Sequence, residues 1–450
     1  MRTRRDFLKT ALGTSAALLA AACAPPSQPA ATSPPAGQPT AAPKAPAEIR
    51  GTEVTLLQWN HFIPTADPFF RKQAEEFSSQ SGVTVNVEPI NANDLLPRFT
   101  AAIQAQSGPT IFQLQHLQAH TLAQGLHDVT DLAREIEPKF GKYYPQAESS
   151  CLVGDRFRAV PWNIIGNAFV YRKSWFEQAG AKVPDTWDEL RESARKLKAT
   201  GKPFGQAFGQ SFGDPPSFCY PVMWSFGGKE LEADGKTVAI NSTETIESVK
   251  YTIALWKDGL DERGLSWDDN NNNAAFLAEE ISATLNGASI YFVGAGLRNP
   301  ADRKPWADDM DHFINPKGPA GQFQWGVVFG HAIPSYVNGK QLDAAREYLR
   351  YIYEPKQFDA WFDENKGYSV GPGERLESHK MWDDLPKPLA PYKTAGRYTR
   401  ALGYAGQPSD KVGEVQARYI VVNMFARAIQ GQTAEDTVRQ AETEMKQIFR

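Results

Sequence analysis

Trp59, Asn60 and His61 stand directly behind a short apolar run that starts at Val54. Gln113 and Gln115 close a second such run, and Trp162 and Asn163 follow Pro161. Tyr220 and Trp224 sit one helical turn apart behind Gly213-Asp214-Pro215-Pro216, and Trp325 precedes a glycine at the start of another apolar run. An indole carries a large apolar face of negative potential. Side-chain amides hold donors and acceptors in fixed directions. Together they suit a guest with C–H faces and a hydroxyl rim, because each buried hydroxyl left unpaired costs about 1–3 kcal/mol. A sugar ring has that shape. Each aromatic also has a packing alternative, since an indole at a strand end or on a helix can equally be core. Trp175, Trp187 and Trp256 fit helix cores and are assigned no function.

Bond-breaking constellations are sparse. The seven histidines form no His-Glu-x-x-His pattern. His116 and His120 could share a helix face toward a metal, but no third ligand motif is near. Gly294-Ala295-Gly296 lacks the third glycine of a nucleotide loop, and no Gly-x-Ser-x-Gly occurs. Asp67, Asp94 and Asp214 could pair as glycosidase carboxylates, although aspartates ahead of helices are more often caps. We therefore expect no catalytic residue, no metal and no cofactor, with a secreted carbohydrate-active hydrolase or lyase as the alternative. The net charge of −4 and the absence of a basic stripe argue against nucleic acid as a partner.

These side chains need elements to position them. Val54–Trp59 reads as a strand, and Asp67 as the N-cap of a helix through Phe70, Ala74 and Phe77 that Gly82 ends. Val83, Val85 and Val87 alternate as a strand. Asp94 opens another helix, and Thr110–Leu114 is a third strand. Strand–helix alternation predicts mostly parallel sheets flanked by helices. Further on, Asn167–Tyr171 reads as a strand and Thr186-Trp187-Asp188-Glu189 as a capping box. Phe218–Phe226, Thr243–Asp258, Ala274–Leu285, Ala344–Tyr353, 416–429 and 434–449 read as helices. The body is roughly 400 residues long, more than one core accommodates, so two lobes are expected. Cys151 and Cys219 are too few for a disulfide framework.

The amino terminus bounds the compartment. Arg4-Arg5 precedes Phe7-Leu8-Lys9, an apolar run follows from Ala11 to Ala22, and Cys23 comes next. That order reads as a twin-arginine export leader ending at a cysteine that resembles a lipoprotein cleavage site, with Ala20 where Leu is usual; a plain signal peptide with an incidental cysteine is the alternative. The apolar run is too short to span a bilayer, which takes about 20 residues. Residues 1–23 are thus read as a signal peptide ending at lipidated Cys23, and 24–48 as a Pro/Ala-rich spacer. The body is expected outside the cytoplasm, tethered to the membrane by lipid and acting as a monomer.

Several pieces in this order carry a family resemblance. Pro161-Trp162 precedes Phe169-Val170-Tyr171-Arg172-Lys173, and Pro184 to Leu190 opens a helix. Phe276 runs to Asn286-Gly287, and Gly367-Tyr368-Ser369-Val370-Gly371-Pro372 forms a late loop. The chain resembles the sugar-binding solute-binding proteins of ABC importers, similar in plan to maltose-binding protein. The resemblance implies two hinged α/β lobes with the guest between them. It places lobe 1 at 50–160 plus 312–355 and lobe 2 at 161–311 plus 356–450. It also implies an ABC permease as partner, no enzymatic activity, and a cleft reached by Tyr368. Family members carry a Trp just after Asn-Gly; this chain has Ala288-Ser289 there, with Tyr291 the next aromatic.

Overall fold

The computed structural model describes residues 47–298 and 302–450. The segment read as an export leader, Cys23 and the stretch read as a spacer, through residue 46, lie outside the described residues.

The first sheet has the order β2-β1-β3-β11-β6. β1 (Glu53–Trp59) and β2 (Thr84–Ile90) pair in parallel, as do β1 and β3 (Ile111–Gln115). Val54, Leu56 and Leu57 of β1 are buried, which fixes its register against both neighbours. β11 (Val327–Ala332) inserts antiparallel between β3 and β6 (Val160–Ile165). β4 (Leu152–Val153) and β5 (Arg156–Phe157) form a small separate hairpin.

The second sheet has the order β10-β7-β9-β8. Its strands are β7 (Ala168–Arg172), β8 (Phe204–Gly205), β9 (Ala283–Asn286) and β10 (Met310–Phe313). Only β8 and β9 pair in parallel here; β7 is antiparallel to both β9 and β10. The two sheets, each with flanking helices, make the two lobes of a mixed α/β fold.

The strand pairing moves the lobe boundaries expected from sequence. Position 161 falls inside β6, which belongs to the first sheet because it pairs with β11. Position 312 falls inside β10, which pairs with β7 in the second. The helix Pro355–Asn365 packs on Ala66–Ser81 of the first lobe, although 356 onward was expected in the second. The helices Ile420–Ile429 and Ala434–Ile448 pack on Thr243–Gly259 and complete the second lobe.

Local chemistry explains where elements start and stop. Gly82, at φ +74°, donates its N–H to the Ser78 carbonyl and ends Ala66–Ser81. Asp67 does not cap that helix, which begins at Ala66. Its carboxylate turns back and accepts the His61 N–H at 3.0 Å, bracing the turn behind β1. The helix expected to open at Asp94 begins at Ala92, because the Asn91 side chain accepts the Asn93 N–H. The expected helix Ala274–Leu285 is instead a short helix, Asn271–Leu277, followed by β9. Residues 288 onward form the helix Ser289–Gly296. Cys151 and Cys219 are both free and buried. The Cys151 sulfur lies 2.7 Å from where a Cβ on Gly330 would stand, so β11 needs glycine there.

The capping box is present in full: Thr186 Oγ1 accepts the Glu189 N–H, and the Glu189 carboxylate accepts the Thr186 N–H. Thr186→Ala is expected to lower unfolding stability by about 1 kcal/mol, read by urea denaturation. An unchanged midpoint would show that the helix Trp187–Ala199 does not depend on its cap.

Candidate functional site

The ends of β1 and β11 and the loop at Tyr368 bring aromatic faces together. Trp59 stacks on Phe329, with centroids 5.3 Å apart and planes 17° apart, and lies 6.0 Å from Tyr368 at 24°. Phe62 meets Trp59 edge-on at 5.2 Å. Gly287 is needed where the second lobe meets this cluster, because a Cβ there would lie 2.9 Å from the Tyr368 ring. Ring centroids spaced in this way are the favourable aromatic geometry.

Two small cavities border the cluster, and a larger one lies beyond Phe212. The largest, about 400 Å³, lies between the lobes. Asn93, Gln115, His116, Gln118 and Thr121 of the first lobe face Gln210, Phe212, Gln416 and Tyr419 across it. A second, about 10 Å³, lies beneath Trp59 and is bounded by Gln58, Asp67, Gln113, Trp162 and Asn163. That is about the room one water needs. The third, about 20 Å³, is bounded by Phe62, Asn167, Phe212, Asp214, Asn286 and Tyr368. Three amide atoms at these cavities are buried without a partner: Gln58 Oε1, Gln115 Nε2 and Asn163 Oδ1. A buried polar atom left so costs about 1–3 kcal/mol, and water or ligand is its ordinary remedy.

Histidines here are neutral. Burial lowers the pKa of His61 and of His116 to about 3. His116 Nε2 lies 3.2 Å from the Phe212 carbonyl, which only accepts, so Nε2 carries the proton. Its ring stacks on Trp325 at 4.6 Å. His120 turns instead to the Ser149 carbonyl at 2.8 Å, so the two histidines do not converge.

Asp214 opens the helix Asp214–Phe226. Its Oδ2 accepts Asn272 Nδ2 at 2.6 Å and Asn286 Nδ2 at 3.4 Å. Asp269 accepts the backbone N–H groups of Gly213 and Asp214 at 3.1 and 2.8 Å, which suits the positive end of that helix. Burial, with the charge of Asp269 beside it, holds the Asp214 carboxyl well above the usual range.

The structure sorts the residues singled out from sequence. Trp59, His61, Gln113, Trp162 and Asn163 meet at the second cavity, Gln115 at the first and Tyr368 at the third. Trp162 is also a core residue, with Tyr353, Phe358 and Trp361 rings within 5 Å. Trp224 lines none of the three. It is fully buried, and its indole N–H donates to Glu230 at 3.0 Å, because its helix has no exposed face. Tyr220 and Trp325 stack on one another at 6.5 Å behind His116. Asn60 is exposed and its N–H donates to the Ile90 carbonyl, while Tyr291 packs edge-on against Phe292. Sequence reasoning missed Phe62, Phe212, Asn167, Asn286 and Tyr419 and read Asp214 only as a candidate glycosidase carboxylate. The Gly-rich run 209–213 was the one local signal for Phe212.

A carboxyl whose folded pKa is raised adds stability that is complete below its unfolded pKa and lost as pH climbs through the folded value. The stability of the protein relative to Asp214→Asn should therefore improve as pH falls through the folded value toward the unfolded one, about 4. Paired denaturation curves across that range check it, and a pH-independent difference would contradict the raised pKa.

Comparison with known proteins adds the family. The pattern of the bacterial extracellular solute-binding proteins matches residues 63–357. A binding protein of Brucella abortus is 24% identical over 308 residues, 67% of this chain and 72% of its own. The diacetylchitobiose binding protein DasA of Streptomyces coelicolor is 24% identical over 318 residues, 67% of this chain and 70% of its own. Among solved structures, maltose-bound T. maritima MalE3 has a TM-score of 0.73 at 19% identity, covering 88% of this chain and 99% of its own. A sugar transporter from Arthrobacter chlorophenolicus with bound laminaribiose has a TM-score of 0.72 at 17% identity, covering 88% and 99%. With two lobes, an amide- and aromatic-lined cleft and a family match across most of its body, the chain belongs to the bacterial extracellular solute-binding proteins.

Proposed function

We propose that this protein captures an uncharged carbohydrate between its lobes and delivers it to an ABC import permease. The observation that carries the reading is the make-up of the cleft. Phe212, Tyr419 and the His116 ring face amides from both lobes in the 400 Å³ cavity, Trp59 and Tyr368 border the two small pockets beside it, and the described lining of all three holds no Lys or Arg. A phosphate or carboxylate on the guest would want such a cation. Sugar C–H faces want the rings, and sugar hydroxyls want unmet donors and acceptors such as Gln115 Nε2. The relatives named for maltose, laminaribiose and diacetylchitobiose support the same class of guest. Capture proceeds by closure of the two lobes about the segments that link β6 to β7 and β10 to β11. Lipid on Cys23 holds the body at the membrane, and the Pro/Ala-rich spacer gives it reach.

Calorimetry and thermal shift against neutral di- and oligosaccharides, with sugar phosphates and uronates alongside, test the guest. A neutral sugar at 100 times its Kd should add about 2.7 kcal/mol of stability. Preference for the charged sugars, or release of cleaved product, would end the reading. Cys23→Ser should move the protein from the membrane to the soluble fraction of cells; continued membrane retention would remove the anchor.

A further inference from the structure

Phe212 divides the cleft. It borders the 400 Å³ cavity on one side and the pocket of Asp214, Asn286 and Tyr368 on the other. Its ring reaches across from the second lobe to within 6.4 Å of Trp59 and 6.0 Å of His116. Its carbonyl accepts the His116 Nε2 proton. Both chain neighbours are fastened to Asp269: Ser211 Oγ accepts the Asp269 N–H at 3.3 Å, and the Gly213 N–H donates to the carboxylate at 3.1 Å. A ring held from both sides in this way is a fixed partition. The larger cavity is at the low end of ligand pockets, which run from roughly 300 to 1,000 Å³.

We infer that Phe212 is the wall that sets the length of glycan the cleft accepts. This rests on the carbohydrate reading above. With the ring in place, a bound saccharide ends against it on the amide-lined side. Cutting the ring away joins that side to the Asp214 pocket, about 20 Å³ by itself, so the room for part of a further residue comes chiefly from the space the ring leaves, with Asp214 and Asn286 at its end to take hydroxyls. The loop itself stays anchored, because its bonds to Asp269 run through Ser211 and Gly213.

Phe212→Ala and Phe212→Leu, each checked for folding by circular dichroism and melting, would be titrated beside the unaltered protein with a neutral oligosaccharide series of increasing length. We expect Phe212→Ala to shift the ratio of long-chain to short-chain affinity toward the longer members by at least about tenfold. Phe212→Leu, which keeps most of the bulk, should hold the original order. The same length order in folded Phe212→Ala, or an equal shift in Phe212→Leu, would overturn the partition while leaving carbohydrate capture intact. If Phe212→Ala does not fold, Phe212→Val carries the same test. Failure of the unaltered protein to bind any member would instead sink the carbohydrate reading, and the partition with it.

Discussion

Buried amides on the strands must find hydrogen-bond partners, and the cleft is arranged around that demand. Gln58, Gln113, Gln115 and Asn163 in the first sheet and Asn286 in the second are almost completely buried. Some of their capacity is met inside: Gln113 accepts the Trp59 N–H, and Asn163 donates to Ser369. Some is not, at Gln58, Gln115 and Asn163. A stability-driven core would have apolar side chains at such sites. Their retention beside aromatic faces is what a pocket for a hydroxyl-rich guest requires. The two lobes, the segments linking their sheets and the bracing of β1 by Asp67 all serve to bring those amides to one gap.

Much of the first lobe was legible because its signals are local. Alternating valines mark β2, a helical face of Phe70, Ala74 and Phe77 marks the first helix, and Gly82 stops it. The capping box at Thr186 is a complete signature within four residues. Positions that fail do so where tertiary pairing overrides local pattern. Ala283–Asn286 continues an Ala-rich stretch and looks helical, yet it is pinned between β7 and β8. The opposite happens after Gly287, where Ile290 and Tyr291 sit in a helix despite their strand preference.

The site was legible by residue type and less so by position. Trp59 and Gln115 end strands, and a strand's carboxyl end is where α/β folds place ligands, whereas Gln113 and Asn163 lie inside β3 and β6. Trp224 looked the same by type, but the run Phe218–Phe226 has no polar side to its helix, so every aromatic on it packs inward. Phe212 had no periodic setting to betray it, and Tyr419, read inside a helix over 416–429, instead sits in left-handed backbone between two helices. Their roles come from facing the other lobe, which no local window of sequence encodes.

The lone thiols have a practical consequence. Cys151 is sealed under β11 in one lobe, and Cys219 lies in a buried helix of the other. Burial also pushes both thiols up, so neither reacts while its surroundings hold. Each half of the molecule thus carries its own silent reporter. With the other cysteine replaced by serine, each thiol would let a specific dye time the melting of its own half, apart from the opening and shutting of the gap between them.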